Sequence, residues 1–272
     1  MFESLPDDLA GALSAAAPRL GGFGRLHFRA ETASTNDDVI ALAQAGAADG
    51  TSVLADAQRA GRGRRGHTWF SPPGAGLYLS VCVHVGSVRM TLSLVTLAAG
   101  VAAAEAVTAA TGLPVELKWP NDLVVGRPWR KLGGLLCESV GSGGRIDAVV
   151  VGLGVNRLTA AYPPELTDRA TSIERELDRP VPRAPLVVEY LARLRERLEV
   201  VRAGDDDAIC RAWRRLGAAG LGASPVRWHD QGVEKTGLAR DIDARGALVV
   251  ESGGRMEQLI AGDVTWDRLS HG

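Results

Sequence analysis

The chain has 272 residues, 46% hydrophobic and 23% charged, enough to bury a sizeable core as one large domain plus a small one. Its 31 Lys and Arg against 32 Asp and Glu leave a formal net charge of −1, which excludes a whole-protein positive field of the kind that coats DNA. Cys82, Cys137 and Cys210 lack CxxC spacing and are too few for a disulfide scaffold or zinc site, so they read as reduced core residues of a cytosolic protein.

Residues 1–20 carry acids where a signal peptide carries its basic region. Helix-like spacing over 7–17 stops at Pro18 and the Gly21-Gly22 pair, and the body begins near residue 24, just before a strand-like Arg25-Leu-His-Phe-Arg29. Ser34-Thr35-Asn36 opens a helix that ends at Gly46. It is either a simple N-cap with Asp37 or Asp38 as an approximate capping box, or a donor-rich site for a polar ligand. Thr51 to Gln58 alternates as a strand, and a strand pair is expected around Trp69 and over 77–83, joined by Ser-Pro-Pro-Gly. Helix 91–111 is apolar nearly all round and is expected to back the sheet; its uncharged run, from Arg89 to Glu105, is short of a membrane span. Strands at 115–118, 132–138 and 145–153 follow, the last with the continuous apolar run of a central strand. Polar-faced helices at 185–202 and 206–216 lead to a linker-like stretch from Gly217 to Pro225. Beyond it, short strands at 226–229, 233–240, 247–251, 256–261 and 264–266 point to a small β-barrel. The architecture is α+β with a β appendix.

Three constellations carry chemistry. Gln58-Arg-Ala-Gly-Arg-Gly-Arg-Arg-Gly66 lies in a stretch, Ala57 to Ala104, without one Asp or Glu, so Arg59, Arg62, Arg64, Arg65 and Arg89 make a strong local field in a neutral chain. Glycines between guanidiniums let backbone N–H groups and Arg forks converge on one anion; the bland alternative is a solvated basic loop. Lys118-Trp-Pro-Asn-Asp122 starts at a strand end and can offer a point charge to phosphate, an amide to a base or ribose, and a carboxylate to Mg²⁺, although Pro-Asn-Asp is also ordinary turn chemistry. Lys131-Leu-Gly-Gly and Gly152-Leu-Gly-Val-Asn156 put glycines inside strands, where they mark a bulge or a close ligand. The surplus of glycine, 33 residues, falls partly in these segments.

Taken in order, Ser34-Thr-Asn36, Gln58 with Gly-Arg-Gly-Arg-Arg-Gly66, Trp69, Leu77-Tyr-Leu-Ser80, Lys118-Trp-Pro-Asn-Asp122, Lys131-Leu-Gly-Gly and Gly152-Leu-Gly-Val-Asn156 strongly resemble the bacterial biotin protein ligases, over about residues 25 to 268. The resemblance implies a mixed β-sheet backed by helices, of the kind seen in class II aminoacyl-tRNA synthetases and in biotin and lipoate ligases, with a small SH3-like β-barrel. It implies an N-terminal extension over 1–24, a catalytic domain over 25–217 and the barrel over 222–272. Biotin and ATP would be substrates with Mg²⁺, biotinyl-5′-AMP the intermediate, and a lysine of a biotin carboxyl carrier protein the acceptor.

By the same family match, Ser34, Thr35, Asn36, Gln58, Arg62, Gly63, Arg64 and Lys131 would contact biotin. Arg62, Trp69, Lys118, Asn121 and Asn156 would serve ATP and the adenylate, and Arg64, Lys118, Lys131 and Asp122 would be catalytic, Asp122 also holding the metal. The repressor subgroup carries a winged helix-turn-helix of about 60 residues before this region; the 24 residues here show no recognition helix. A monofunctional cytoplasmic ligase is therefore expected, a monomer or weak homodimer with no DNA or membrane partner. The alternatives are a lipoate or octanoate ligase of the same fold and a non-catalytic biotin-binding regulator. The connection 126–130, with two arginines and a tryptophan, finds no function in the resemblance.

Overall fold

The computed structural model describes residues 2–86, 90–143, 145–230, 232–260 and 264–266. Two short helices, α1 (Asp7–Ala15) and α2 (Ala17–Leu20), precede β1 (Leu26–Thr32), α3 (Thr35–Gln44), β2 (Ser52–Gln58) and β3 (Gly76–His84). The 20-residue α4 (Leu92–Thr111) leads into β4 (Glu116–Lys118), β5 (Asp122–Val125), β6 (Arg130–Ser142) and β7 (Arg145–Asn156). Helices α5 (Ile173–Leu177), α6 (Arg183–Arg202) and α7 (Asp206–Gly217) close the large domain. Strands β8 (Ser224–Asp230), β9 (Val233–Ile242), β10 (Leu248–Ser252), β11 (Arg255–Leu259) and β12 (Val264–Trp266) form the small one.

The large sheet has strand order β1-β2-β3-β7-β6-β5-β4, parallel between β1 and β2 and antiparallel elsewhere. The expected central strand is indeed central: β7 runs with β3 on one side and β6 on the other. Alternation along these strands sorts the sheet into two faces. Leu54, Leu79, Val81, Val149, Val151 and Leu153 join one core with α4, while Val53, Cys82 and Val150 point the other way and pack under Val39 of α3. The site described below lies on the α3 face. The small domain is an antiparallel sheet of order β11-β10-β9-β8-β12, in the place expected of the small barrel.

Helix α4 is long and apolar enough to cross a bilayer on length and composition, yet 67% of its apolar window is buried inside the protein. Its ends are well specified: the Thr91 hydroxyl accepts from the N–H of Leu94 at 3.2 Å, and Gly112 takes the left-handed turn at φ 79°. Its one charged side chain, Glu105, is held by Arg197 of α6 through bonds of 2.6 and 3.0 Å. Helices α1 and α2 seat Leu9, Leu13 and Leu20 in this same core.

Several expectations change. Trp69 stands in no strand; its segment is joined to the arginine loop by a lone bridge between Arg62 and Thr68. The stretch after Gly217 is no free linker, since Ala218–Gly220 is a 3-10 turn whose last residue is buried. Strand β5 and helix α5 were not foreseen: each is too short for a periodic signal. The thiols are all free, and burial pushes Cys82 and Cys137 up to about 11.

Candidate active site

A cavity of ≈ 580 Å³ opens on the α3 face of the large sheet, in the range usual for small-molecule sites. Its floor follows from strand register. Ser80, Gly152 and Leu136 pair across β3, β7 and β6, and two residues along lie Tyr78, Gly154 and Gly134. Glycine at 152 and 154 is a matter of space: a Cβ on Gly152 would lie 2.2 Å from Oδ1 of Asn36, and one on Gly154 2.7 Å from the indole of Trp69. The flat strand lets two side chains from other segments lie directly on the backbone.

Over the first row of the floor sits the start of α3. Ser34 has the extended backbone of an N-cap, but its side chain makes no capping bond, so the simple cap reading fails. Gln58, at the end of β2, does that work from outside the helix: its Oε1 accepts from Thr35 N–H at 2.9 Å and from the Thr35 hydroxyl at 3.1 Å, and its Nε2 donates to Ser71 at 2.9 Å. Asn36 accepts from Ser80 at 2.6 Å and donates to Leu136 O at 3.2 Å and Glu138 at 2.6 Å. The result is a buried polar net with fixed donors and acceptors, of a kind that specifies geometry when every member is satisfied.

At the other row the cavity is cationic. Lys131, entering β6, pairs with Asp122 at 2.6 Å, with its ammonium 5.5 Å from the centre of the Trp69 ring. Lys118 lines the same wall, and burial lowers its pKa below the ordinary lysine value; Lys131 adds to the lowering and Asp122 opposes it. Arg64 donates to Asn121 Oδ1 at 3.4 Å, and Asn121 donates to Leu135 O at 2.7 Å. Asn156, at the end of β7, donates to Thr171 O at 2.9 Å. The Nε1 of Trp69 is buried without an acceptor.

The arginine loop closes on itself: Gly63 N–H donates to His67 O at 2.6 Å, Trp69 N–H to Gly61 O at 2.8 Å, and Arg65 takes a left-handed φ of 53°. Two of its arginines are answered by acids from other segments. Arg59 pairs with Glu31 at 2.9 Å, and Arg62 with Asp37 at 2.6 Å and Glu138 at 2.9 Å. These partners raise the Arg62 pKa, the Asp37 bond most, against partial burial. The acid-free stretch is thus acid-free in sequence only; Arg89 lies outside the described residues.

Ser34, Thr35, Asn36, Gln58, Arg62, Gly63, Arg64, Trp69, Lys118, Asn121, Asp122, Lys131 and Asn156, separated widely in sequence, all line this one cavity. Sequence reasoning missed Ser80, Glu138 and Trp119. Ser80 stands in the Leu77-Tyr-Leu-Ser80 motif without a role of its own, and Glu138 falls at the end of the expected strand 132–138 with no chemistry assigned to it. Trp119 is 3% exposed and donates from Nε1 to Gly246 O of the small domain at 3.0 Å, a bond of 127 residues' separation with no local signal. Among the described residues no group of three or more His, Cys, Asp or Glu could hold a metal by itself.

Known proteins are similar to this chain in sequence and in fold. Residues 30–156 match the biotin/lipoate A/B protein ligase family, and residues 224–265 match the biotin protein ligase C-terminal domain. A biotin–[acetyl-CoA-carboxylase] ligase of Mycobacterium tuberculosis is 35% identical over 268 residues, covering 96% of this chain and 93% of the relative. A bifunctional ligase/repressor of Bacillus spizizenii is 30% identical over 85% of this chain and 70% of its own length. The solved biotin protein ligase of Aquifex aeolicus, in complex with biotin and ATP, superposes with a TM-score of 0.77 at 26% identity, covering 90% of this chain and 99% of that one. With two family models matched in order along one chain, and a full-length relative at this identity, the chain belongs to the biotin protein ligase family.

Proposed function

We propose that this cavity carries out both half-reactions of an ATP-dependent biotin–protein ligase. In the first, a biotin carboxylate oxygen attacks the α-phosphorus of ATP; the bond to the β-phosphate oxygen breaks and pyrophosphate leaves. In the second, the neutral amine of a carrier lysine attacks the acyl carbon of biotinyl-5′-AMP, an amide forms, AMP leaves and the amine loses its proton. What supports this is the division of one cavity into a fixed polar net at one row and cations at the next. The net of Thr35, Asn36 and Gln58, with Ser34 beside it, suits a ureido ring, which needs donors and acceptors at set positions. Arg62, Gly63 and Arg64 would hold the carboxylate end, and Lys118 and Lys131 would offset the charge that builds up when a carboxylate meets a triphosphate. Trp69, Asn121 and Asn156 would hold the adenylate, Trp69 as its apolar wall.

The residues fit a Mg²⁺ that arrives on the triphosphate. Asp122 is one carboxylate beside phosphate-binding lysines, which matches the habit of Mg²⁺ to take one or two carboxylates plus substrate phosphates. When bound, the ion would supply positive charge on the phosphates; holding it would release Lys131 from Asp122 toward the reacting oxygens.

The acceptor is proposed to be a biotin carboxyl carrier domain. Incubating the chain with ATP, Mg²⁺, biotin and apo carrier should give a mass gain on one carrier lysine. No gain with biotin, but a gain with lipoate or octanoate, would transfer the assignment to that branch of the fold.

Two further results follow from the geometry. Arg64→Gly removes a guanidinium from the cavity wall, and the bound intermediate should escape or hydrolyse about ten- to a hundredfold faster, the worth of a hydrogen bond to a charged group. The half-life of enzyme-bound biotinyl-AMP reads this directly. Lys118 must be protonated to act on phosphate, and burial makes it give up that proton at lower pH than an ordinary lysine. The alkaline fall of kcat/KM for ATP should therefore begin below the usual lysine range, and Lys118→Arg should move it upward. A limb that Lys118→Arg leaves in place would assign the titration elsewhere.

A further inference from the structure

Each member of one tryptophan pair stands two residues from a wall of the cavity, and the two belong to different domains. Trp129 lies in the connection between β5 and β6, two residues before Lys131, while Trp266 lies on β12, two residues after Val264. Lys131 and Val264 both line the cavity, and among the described residues Val264 is what the small domain contributes to it. The two indoles meet edge to face, with centroids 6.0 Å apart and planes at 68°, a favoured aromatic geometry. Positions 264 and 266 share one face of a strand, so the face that brings Trp266 to its partner also brings Val264 to the cavity.

The connection is braced from several sides. Gly220, in the turn between the domains, abuts both rings: a Cβ there would lie 2.8 Å from Trp129 and 3.0 Å from Trp266. Arg127 stacks over Trp129 at 5.2 Å and is itself paired with Glu116 at 2.7 Å. Arg130 pairs with Glu176 at 2.8 Å. A surface hairpin turn needs none of this. Both indole Nε1 atoms are buried without an acceptor, so the contact between the two rings is one of packing alone; the hydrogen bonds that join the domains lie elsewhere, from Trp119 Nε1 to Gly246 O at 3.0 Å and from Arg214 to Asp241 at 2.7 Å.

We propose that Trp129 is a positioning residue for the reaction assigned above: through Trp266 it sets the distance between the small domain and the start of β6, and so how tightly the cavity closes over the acyl adenylate. This rests on the ligase reading. The joint adjoins the cavity at Lys131 and Val264, while the hydrogen bonds of the Thr35, Asn36 and Gln58 net run to Ser71, Ser80, Leu136 and Glu138, so it is assigned retention of the intermediate and not the capture of biotin.

In the full chain, Trp129→Ala should shorten the lifetime of enzyme-bound biotinyl-AMP about tenfold, the worth of one aromatic pair, with biotin affinity in the absence of ATP unchanged. Trp129→Phe, which keeps a ring at the joint, should recover most of that lifetime. Trp266→Ala should match Trp129→Ala, and the double variant should be no worse than either, because contacting residues are not additive. A folded Trp129→Ala protein with wild-type adenylate lifetime, a parallel loss of biotin affinity, or additive single effects would each overturn the proposal. Where Trp129→Ala does not unfold cooperatively, Trp129→Phe, Trp266→Phe and their combination run the same cycle, and additivity again overturns it. Failure of the unsubstituted chain to form any adenylate would refute the reaction itself, and the joint's part in it.

Discussion

Replacing Lys131 by methionine is expected to slow adenylate formation by about 10²–10³-fold, the usual effect of removing one preorganised charge from a reacting centre. Lys131 is placed for this by its strand. It enters β6 beside Asp122 of β5, and Gly134 leaves the room in which the ammonium and the carboxylate meet at 2.6 Å. Methionine keeps most of the side-chain volume, so the loss reads as charge. Asp122→Asn should slow this step through the Mg²⁺ that Asp122 is proposed to hold, a loss that raised Mg²⁺ offsets in this variant and does not offset in Lys131→Met. Single-turnover release of pyrophosphate, followed as Mg²⁺ is raised, separates the two. A loss that stays equal in both variants would make the ion pair, and not the lysine, the working unit.

Gly152→Ala is the second large effect. The added methyl would sit 2.2 Å from the Asn36 amide oxygen, against a side chain bonded on three sides to Ser80, Leu136 O and Glu138. Asn36 must then leave, and biotin affinity is expected to fall about a hundredfold from the loss of those oriented groups. Overpacking adds about 1–3 kcal/mol of destabilisation, visible as a lower thermal midpoint. Gly154→Ala is the matched comparison, because its methyl would strike Trp69. It should weaken ATP more than biotin. Titrations of each ligand against each variant test the division of the cavity, and a common loss of both ligands in both variants would refute it.

Much of this was legible in the chain because it is carried by short-range rules. The helical period, the alternation of strands and the apolar run of β7 give a sheet with helices, and the motifs, read jointly, place their residues at one cavity. What was hidden depends on distance through space. Trp69 looked like strand residue beside a Gly/Pro turn, yet it is held by its seat on Gly154, 85 residues away in sequence by position. Ser34 looked like a cap, but Gln58 supplies the acceptor from another strand. The arginine loop looked like an unanswered field because Glu31, Asp37 and Glu138, which answer it, arrive from β1, α3 and β6. Local patterning carries no record of such partners.

Helix α4 has a consequence for the protein while it is being made. Once α4 has left the ribosome it is a 20-residue apolar segment with a single carboxylate, and the arginine that pairs with that carboxylate lies 92 residues further on. At common rates of synthesis the wait is roughly 5–18 seconds. During that interval Glu105 is the one strong term against treating the segment as a membrane span. A nascent chain with Glu105 replaced by leucine would therefore face a choice of compartment before α6 exists to bury the helix, and mistargeting, more than lost stability, would be its first cost.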